Sequence, residues 1–321
     1  MLWLVMAAVT RIDPKTVFSP EEWARLTARS SWRGIALVIH AWALILGAGA
    51  LFVLWANPVT LILAIMIVGT RQLGLGILMH DAAHGALHPN QKINDFVGDW
   101  LCGAPIGSNV HTYRKYHLRH HKFTEQPEDP DLALSRPFPT TRKSLRRKII
   151  RDLTGQTFFK QRFGQFFETS TAGSPPLSAE SPKGTRNLFL NDTRTRFLAI
   201  NLVFLAALTA AGLWWAYFVV WLLPLATWFQ LVTRLRNIGE HACVGKHEDP
   251  FHHARTTLAN PIERLLIAPY WVHYHAEHHL FMHLPCWNLP QAHRLLMERG
   301  YGPRMDIKRG YGEVLAVAAP V

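Results

Sequence analysis

The hydrophobic residues of this chain are gathered into long runs separated by polar stretches, not spread at the intervals of a soluble amphipathic fold. From Gly34 to Trp55 the sequence is nearly all apolar, broken by His40, and Asn57-Pro58 marks a turn. A second run, Val59 to Met79, is interrupted by Arg71 and Gln72. A helix rises about 1.5 Å per residue and the hydrocarbon of a bilayer is about 30 Å thick, so each run is long enough to cross once. Together they predict a transmembrane hairpin with almost no outer loop, its second helix ending directly at His80. Phe197 to Val232 is too long for one crossing, and Gly212-Leu213-Trp214-Trp215 in its middle predicts a tight turn with tryptophans at the interface. This block reads as a second hairpin whose last helix runs through Arg234 and Arg236 into Asn237 and His241.

The flanking segments are polar. Ser19-Pro20-Glu21-Glu22 is a helix start, with a hydroxyl cap, proline at the first helical position and acids in the first turn. The helix it opens, through about Arg33, fits the membrane surface and fits equally an amphipathic helix packed on protein. Within the polar stretch from Asp81 to Arg196, the apolar patch Phe96 to Gly107 is too interrupted to span and is predicted to dip into the interface. Pro127-Glu128-Asp129-Pro130-Asp131 predicts a rigid turn, Thr140 to Arg151 is strongly basic, and Ser170 to Arg186 predicts a mobile loop. The expected organisation is a single membrane domain. Residues 1–33 form an amphipathic N-terminal segment and 34–80 the first hairpin; 81–196 is a cytoplasmic region, 197–236 the second hairpin and 237–321 a second cytoplasmic region. The fold class is all-α, with four transmembrane helices and a cytoplasmic helical cap.

Composition agrees, at 49% hydrophobic residues with twelve tryptophans. A formal charge of +12 and a pI near 10 would admit nucleic acid as a partner, so the location of the charge decides. The predicted outer turns contain no Lys or Arg, whereas the segment from Asp81 to Arg196 holds eighteen. By the positive-inside rule both termini and the polar regions face the cytoplasm, across the inner membrane if the cell is bacterial. The charge is thus a topology signal, accompanied by attraction to anionic headgroups, and no basic stripe with aromatics points to nucleic acid. Three widely spaced cysteines exclude a disulfide scaffold.

The candidate chemistry lies in histidines, of which there are eighteen. Eight stand in three clusters: His80-Asp81-Ala82-Ala83-His84, His117-Leu118-Arg119-His120-His121 and His275-Ala276-Glu277-His278-His279. A ninth, His241, follows Asn237 by four. Residues three or four apart share one helix face, so each cluster can aim its imidazoles at one point. A single histidine is more often a satisfied polar side chain; the repeated H-x-x-H-H spacing is not. So many imidazoles exceed the needs of one tetrahedral zinc and suggest two metal ions. An imidazole set without thiolates suits iron, copper, nickel or zinc. Asp81, Glu240 and Glu277 each adjoin one of these histidines and could orient a ring, or could equally be surface acids.

The three clusters in this order, between two hairpins, resemble the histidine boxes of integral-membrane fatty acid desaturases and related hydroxylases. The resemblance runs from about residue 40 to 290. Asn237-x-x-x-His241, the Pro-Glu-Asp-Pro-Asp stretch and Tyr274 to Pro290, with Leu284-Pro285 after the third box, are similar to bacterial members. It implies two non-haem irons ligated by His80, His84, His117, His120, His121, His241, His275, His278 and His279, with Asn237 holding a metal-bound water. It further implies O2 as co-substrate and removal of two hydrogens from adjacent methylenes of an acyl lipid, leaving a cis double bond. His88, His111, His247, His252, His253 and His273 fall outside that ligand set. With no His-Pro-Gly-Gly haem motif in the sequence, electrons are expected from a separate ferredoxin or small cytochrome with its reductase, drawn to Arg114, Lys115, Arg119 and Lys122. Hydroxylation or ketolation of a carotenoid or other lipid is the alternative within the same chemistry. A metal transporter would place its histidines near the bilayer midplane, whereas these begin where the spans end.

Overall fold

The computed structural model of the chain describes residues 8–167, 193–245 and 249–320, so the loop expected from Ser170 to Arg186 and His247 lie outside the described residues. Helix α1, Pro20–Thr27, starts as its sequence dictates. The Ser19 hydroxyl accepts from Glu22 N–H while the Glu22 carboxylate accepts from Ser19 N–H, a closed capping box. It stops at Thr27, short of the expected Arg33, because Ser30 Oγ instead accepts from the N–H groups of Trp32 and Arg33 and starts the next helix. α1 lies against protein: Trp23 stacks on Phe18 and meets the edge of Phe281, and Asn288 Nδ2 donates to Leu26 O at 2.7 Å.

Among the described residues, four helices are long and apolar enough to cross a membrane. α2, Arg33–Leu54, and α3, Pro58–Ala83, form the first hairpin around Asn57, whose side chain caps Val59 and Thr60 N–H. α3 does not end at His80 but continues one turn, so His80 and Asp81 are helical and His84 is the cap residue. The second hairpin is α8, Thr193–Ala210, and α9, Trp214–His241, joined at Gly212 with a left-handed φ of 73°. α9 is irregular, with a π-helical stretch at Tyr217–Leu222 and a break at Thr227. The hairpins are pinned by polar groups that apolar surroundings make hard to lose. Asn201 Oδ1 of α8 accepts from Trp221 Nε1 at 2.7 Å and Tyr217 Oη at 3.1 Å, and Trp221 stacks on Trp42 of α2.

Between the hairpins, α4 at Gln91–Phe96 leads into a π-helical stretch, Val97–Gly103. That stretch is most of the apolar patch expected to be re-entrant. It packs along α3 so closely that a Cβ on Gly98 would stand 2.3 Å from the Ala82 Cβ. α5, Val110–Phe123, carries the second histidine cluster. The basic α6, Arg142–Leu153, turns into α7, Gln156–Phe167, and is tied to α9 by buried Asp152, which accepts from Arg234 Nη2 at 2.8 Å. The C-terminal region holds α10 at Pro261–Leu266, α11 at His275–Leu280, α12 at Leu289–Glu298 and α13 at Gly310–Ala318. Among the described residues it departs from an all-helical cap in a parallel pair of short strands, β1 at Arg255–Thr257 and β2 at Asp306–Lys308. The antiparallel bridge Thr256 to Tyr274 seats α11 against β1.

Removing one partner from a buried ion pair strands a charge, a loss of about 3 kcal/mol. Asp152→Ala is therefore expected to lower the thermal midpoint of the detergent-solubilised protein well beyond Asp152→Asn, which keeps an acceptor for Arg234. Equal midpoints for wild type and Asp152→Ala would show that the pair contributes nothing.

Candidate metal centre

The two helices with H-x-x-H-H spacing divide their rings in opposite ways. On α5, His117 and His121, four apart, join His80 and His84 of α3 and His278 of α11 in one buried group. His120 turns to the other side. On α11, His275 and His279, four apart, join His120 and His241 in a second group, while His278 crosses to the first. Within each group one ring nitrogen from each histidine lies within 4.8 Å of the others. The groups adjoin, with the rings of His121 and His279 4.3 Å apart. All nine histidines of the sequence reading are thus brought together. Among the described residues, His88, His111, His252, His253 and His273 belong to neither group.

Proton placement makes the arrangement chemically specific. Asp129 Oδ1 lies 2.8 Å from His120 Nδ1, His253 O lies 3.2 Å from His241 Nδ1, and Glu240 Oε1 lies 3.3 Å from His275 Nδ1. The hydrogen-bonded acceptors at His120 and His241 favour a proton on Nδ1, and Glu240 draws one electrostatically to His275 Nδ1, which leaves Nε2 with a bare lone pair. Those Nε2 atoms face each other: His120 to His241 at 3.2 Å, His120 to His279 at 3.2 Å, His241 to His275 at 2.9 Å. Lone pairs so opposed repel unless a proton or a metal cation stands between them. In the first group His121 Nε2 lies 2.9 Å from His117 Nε2 and 3.0 Å from His278 Nε2. Its His80 Nε2 and both His84 nitrogens are buried without a hydrogen-bond partner. Unsatisfied buried ring nitrogens beside one another fit the ligand set of a metal ion. The donor set, imidazole without thiolate, fits iron and its neighbours in the first transition row.

Of the three acids that adjoin cluster histidines, one comes within 3.3 Å of a cluster ring nitrogen. Glu240 does so while accepting from Arg236 Nε at 2.6 Å. Asp81 lies 3.6 Å from His80 Nδ1, too far for a hydrogen bond, and instead accepts from Cys286 N–H at 2.9 Å. Glu277 turns away, bonding Thr256 Oγ1 at 2.5 Å and His293 Nδ1 at 2.6 Å, so it fixes α11 on β1 and α12. Asp129 was hidden in sequence inside what reads as a turn. An acid bracketed by prolines just after the second cluster was the available signal. The same carboxylate accepts from Glu125 N–H and Asp131 N–H, which folds the turn around it. Tyr113 stacks on His117 with centroids 5.1 Å apart, and Tyr116 Oη donates to Asp131 Oδ1 at 2.5 Å.

Asn237 is half-buried and lines a cavity of about 30 Å³ with His117, His120, Glu240, His241 and His275. That is room for a water or two beside both groups. Burial, then the neighbouring imidazoles, keep His117, His121, His278 and His279 far below the ordinary imidazole range, and His84 falls to about 3. Burial acts on His120 in the same direction, but its hydrogen bond to Asp129 and the nearby carboxylates outweigh it and raise the ring's affinity for protons. The pocket therefore presents mostly neutral rings.

The model of the fatty acid desaturase family matches residues 55–308. The chain is 26% identical to dihydrorhizobitoxine desaturase of Bradyrhizobium elkanii over 76% of its own length and 68% of that protein's. It is 25% identical to beta-carotene ketolase of Paracoccus sp. (strain PC1), covering 80% of this chain and 87% of that one. Zeaxanthin 4-ketolase of Chlamydomonas reinhardtii is 24% identical over 88% of this chain and 53% of its own.

Rings whose proton affinity is lower folded than unfolded stabilise the fold above the unfolded value of about 6.5 and withdraw that stability as pH falls through it. Metal-free protein is accordingly expected to lose thermal stability steadily from pH 7 to pH 5 in detergent. His120, shifted the other way, opposes this trend without reversing it. A midpoint that holds or rises on acidification would contradict the burial of neutral rings.

Proposed function

The chain belongs to the fatty acid desaturase family, and from that premise we propose that it is a membrane fatty acyl desaturase working through two histidine-held irons. His80, His84, His117, His121 and His278 would hold one ion, and His120, His241, His275 and His279 the other. The observation that carries the reading is the meeting of two lone-pair nests, in a family-matched chain, where apolar helices end. An unactivated methylene offers no acidity or charge for a side chain to act on, so the irons supply the O2 chemistry while the protein binds and orients. The balance consumes one O2, two electrons and two protons with the two hydrogens taken from the lipid, and releases two waters.

The residues of this chain then have distinct tasks. Neutral rings present their Nε2 lone pairs, Asp129 and Glu240 hold the tautomers, and Asn237 keeps a water beside the pair. The basic flanks support a cytoplasmic side for the centre and both termini, at the inner membrane in a bacterial host. A separate ferredoxin or small cytochrome would deliver the electrons at the exposed Lys115, Arg119 and Lys122, since Arg114 is occupied by Asp95 at 2.6 Å. Ketolation or hydroxylation of a carotenoid is a second reading, favoured by the two ketolases among the relatives.

Lipid profiling of a host that makes a carotenoid, with and without the gene, separates the readings. New cis-unsaturated acyl chains are expected with the pigment unchanged, and an oxygenated pigment with unaltered acyl chains would reverse the assignment. Purified protein should retain two irons, one for each histidine group. Asp129→Ala should weaken iron retention by roughly tenfold to a hundredfold, and His278→Ala should abolish activity while the protein still inserts. An active His278→Ala variant would take the third cluster out of the centre.

A further inference from the structure

The polar C-terminal region reaches the middle of a long apolar helix. Thr70 Oγ1 and Arg71 Nη2, in the middle of α3, donate to Leu266 O at 2.7 Å and Leu265 O at 2.8 Å, the carbonyls that end α10. Thr70 follows Pro58 by twelve residues, about 18 Å along the helix, inside a hydrocarbon layer of about 30 Å. Two other spans give the same level. Trp228 of α9 also donates to Leu266 O, at 3.4 Å, and follows Trp214 by fourteen residues, about 21 Å. His40 of α2 bonds Tyr270 Oη at 3.0 Å and lies seven residues, about 10 Å, beyond Arg33 at the opposite end.

We propose that residues 258–271, α10 and the turn after it, form a re-entrant segment embedded in the bilayer, its outer face covered by lipid acyl chains. The side chains suit that occupant. Leu258 is 39% exposed, Ile262 68% and Leu265 48%. Backbone at that depth must have its polar groups satisfied by protein, and the last carbonyls of α10 are satisfied by Thr70, Arg71 and Trp228. This gives a use to Arg71, 4% exposed in an apolar helix, whose guanidinium stacks 5.4 Å over Tyr270 and among the described residues forms no ion pair with a carboxylate. The upper end of the segment is held to the cap: Leu258 N–H donates to Lys308 O at 2.7 Å and Tyr311 N–H to Glu263 Oε1 at 2.7 Å. Arg264 lies one turn from that end, near enough for its side chain to snorkel to the headgroups. Tyr270 and Trp271, at φ 53° and 58°, turn the chain back up to His275.

Full-length protein in phosphatidylcholine vesicles tests this. A polarity-sensitive thiol dye is placed on Ile262→Cys and, separately, on Leu265→Cys, in a Cys243→Ser background because the other cysteines are buried. Arg294→Cys on α12, where the native side chain is 67% exposed, is the aqueous reference. Both segment labels should be quenched by brominated acyl chains, with iodide quenching roughly tenfold weaker than at the reference, since a halide is almost excluded from hydrocarbon. Iodide quenching equal to the reference would place the segment in water, and protection from both quenchers would place it against protein. Either result overturns the proposal.

Discussion

Imidazole lone pairs opposed across 2.9 to 3.2 Å are the constraint to which the rest of the molecule answers. Most of the rings are neutral because they are buried, and His120, His275 and His241 point inward with their far nitrogens facing Asp129, Glu240 and the carbonyl of His253. Such an arrangement is repulsive by itself and becomes favourable around cations. The long spans serve it by carrying His80, His84 and His241 out of the apolar layer on rigid helices. The short strands serve it too, because the bridge from Thr256 to Tyr274 and the bond from Thr256 to Glu277 hold α11 in register with α5.

What could be read in sequence was local. Spans, their turns and the shared faces of H-x-x-H-H follow from periodicity and length, which depend on neighbours a few residues away. The way each motif splits its rings between two groups depends on where the other helices stand, and no spacing rule carries that. Asp129 looked like part of a turn because the partner that gives it meaning, His120, must first be folded against it. α1 was expected to run on because Trp32 and Arg33 continue its amphipathic pattern, yet one hydroxyl, Ser30, was enough to break it.

The same contrast explains the C-terminal region. Residues 258–271 carry no long apolar run, so hydropathy assigns them to water. Their level is set by contacts with Thr70, Arg71 and His40, which interrupt the spans in sequence and mark the place where a distant piece of chain is received. Polar residues inside a predicted span can thus be read as sockets as well as blemishes.

The crossed division of rings has a mechanical consequence. α5 gives two rings to one group and one to the other, and α11 gives the reverse, so each helix is a rung shared by both sites. Sliding or tilting either helix detunes both sites together, and the distance between them is governed by helical pitch and not by loop length. Variation in reactivity among related chains would then have to arise in walls that touch neither rung, leaving the pair itself inherited as one piece.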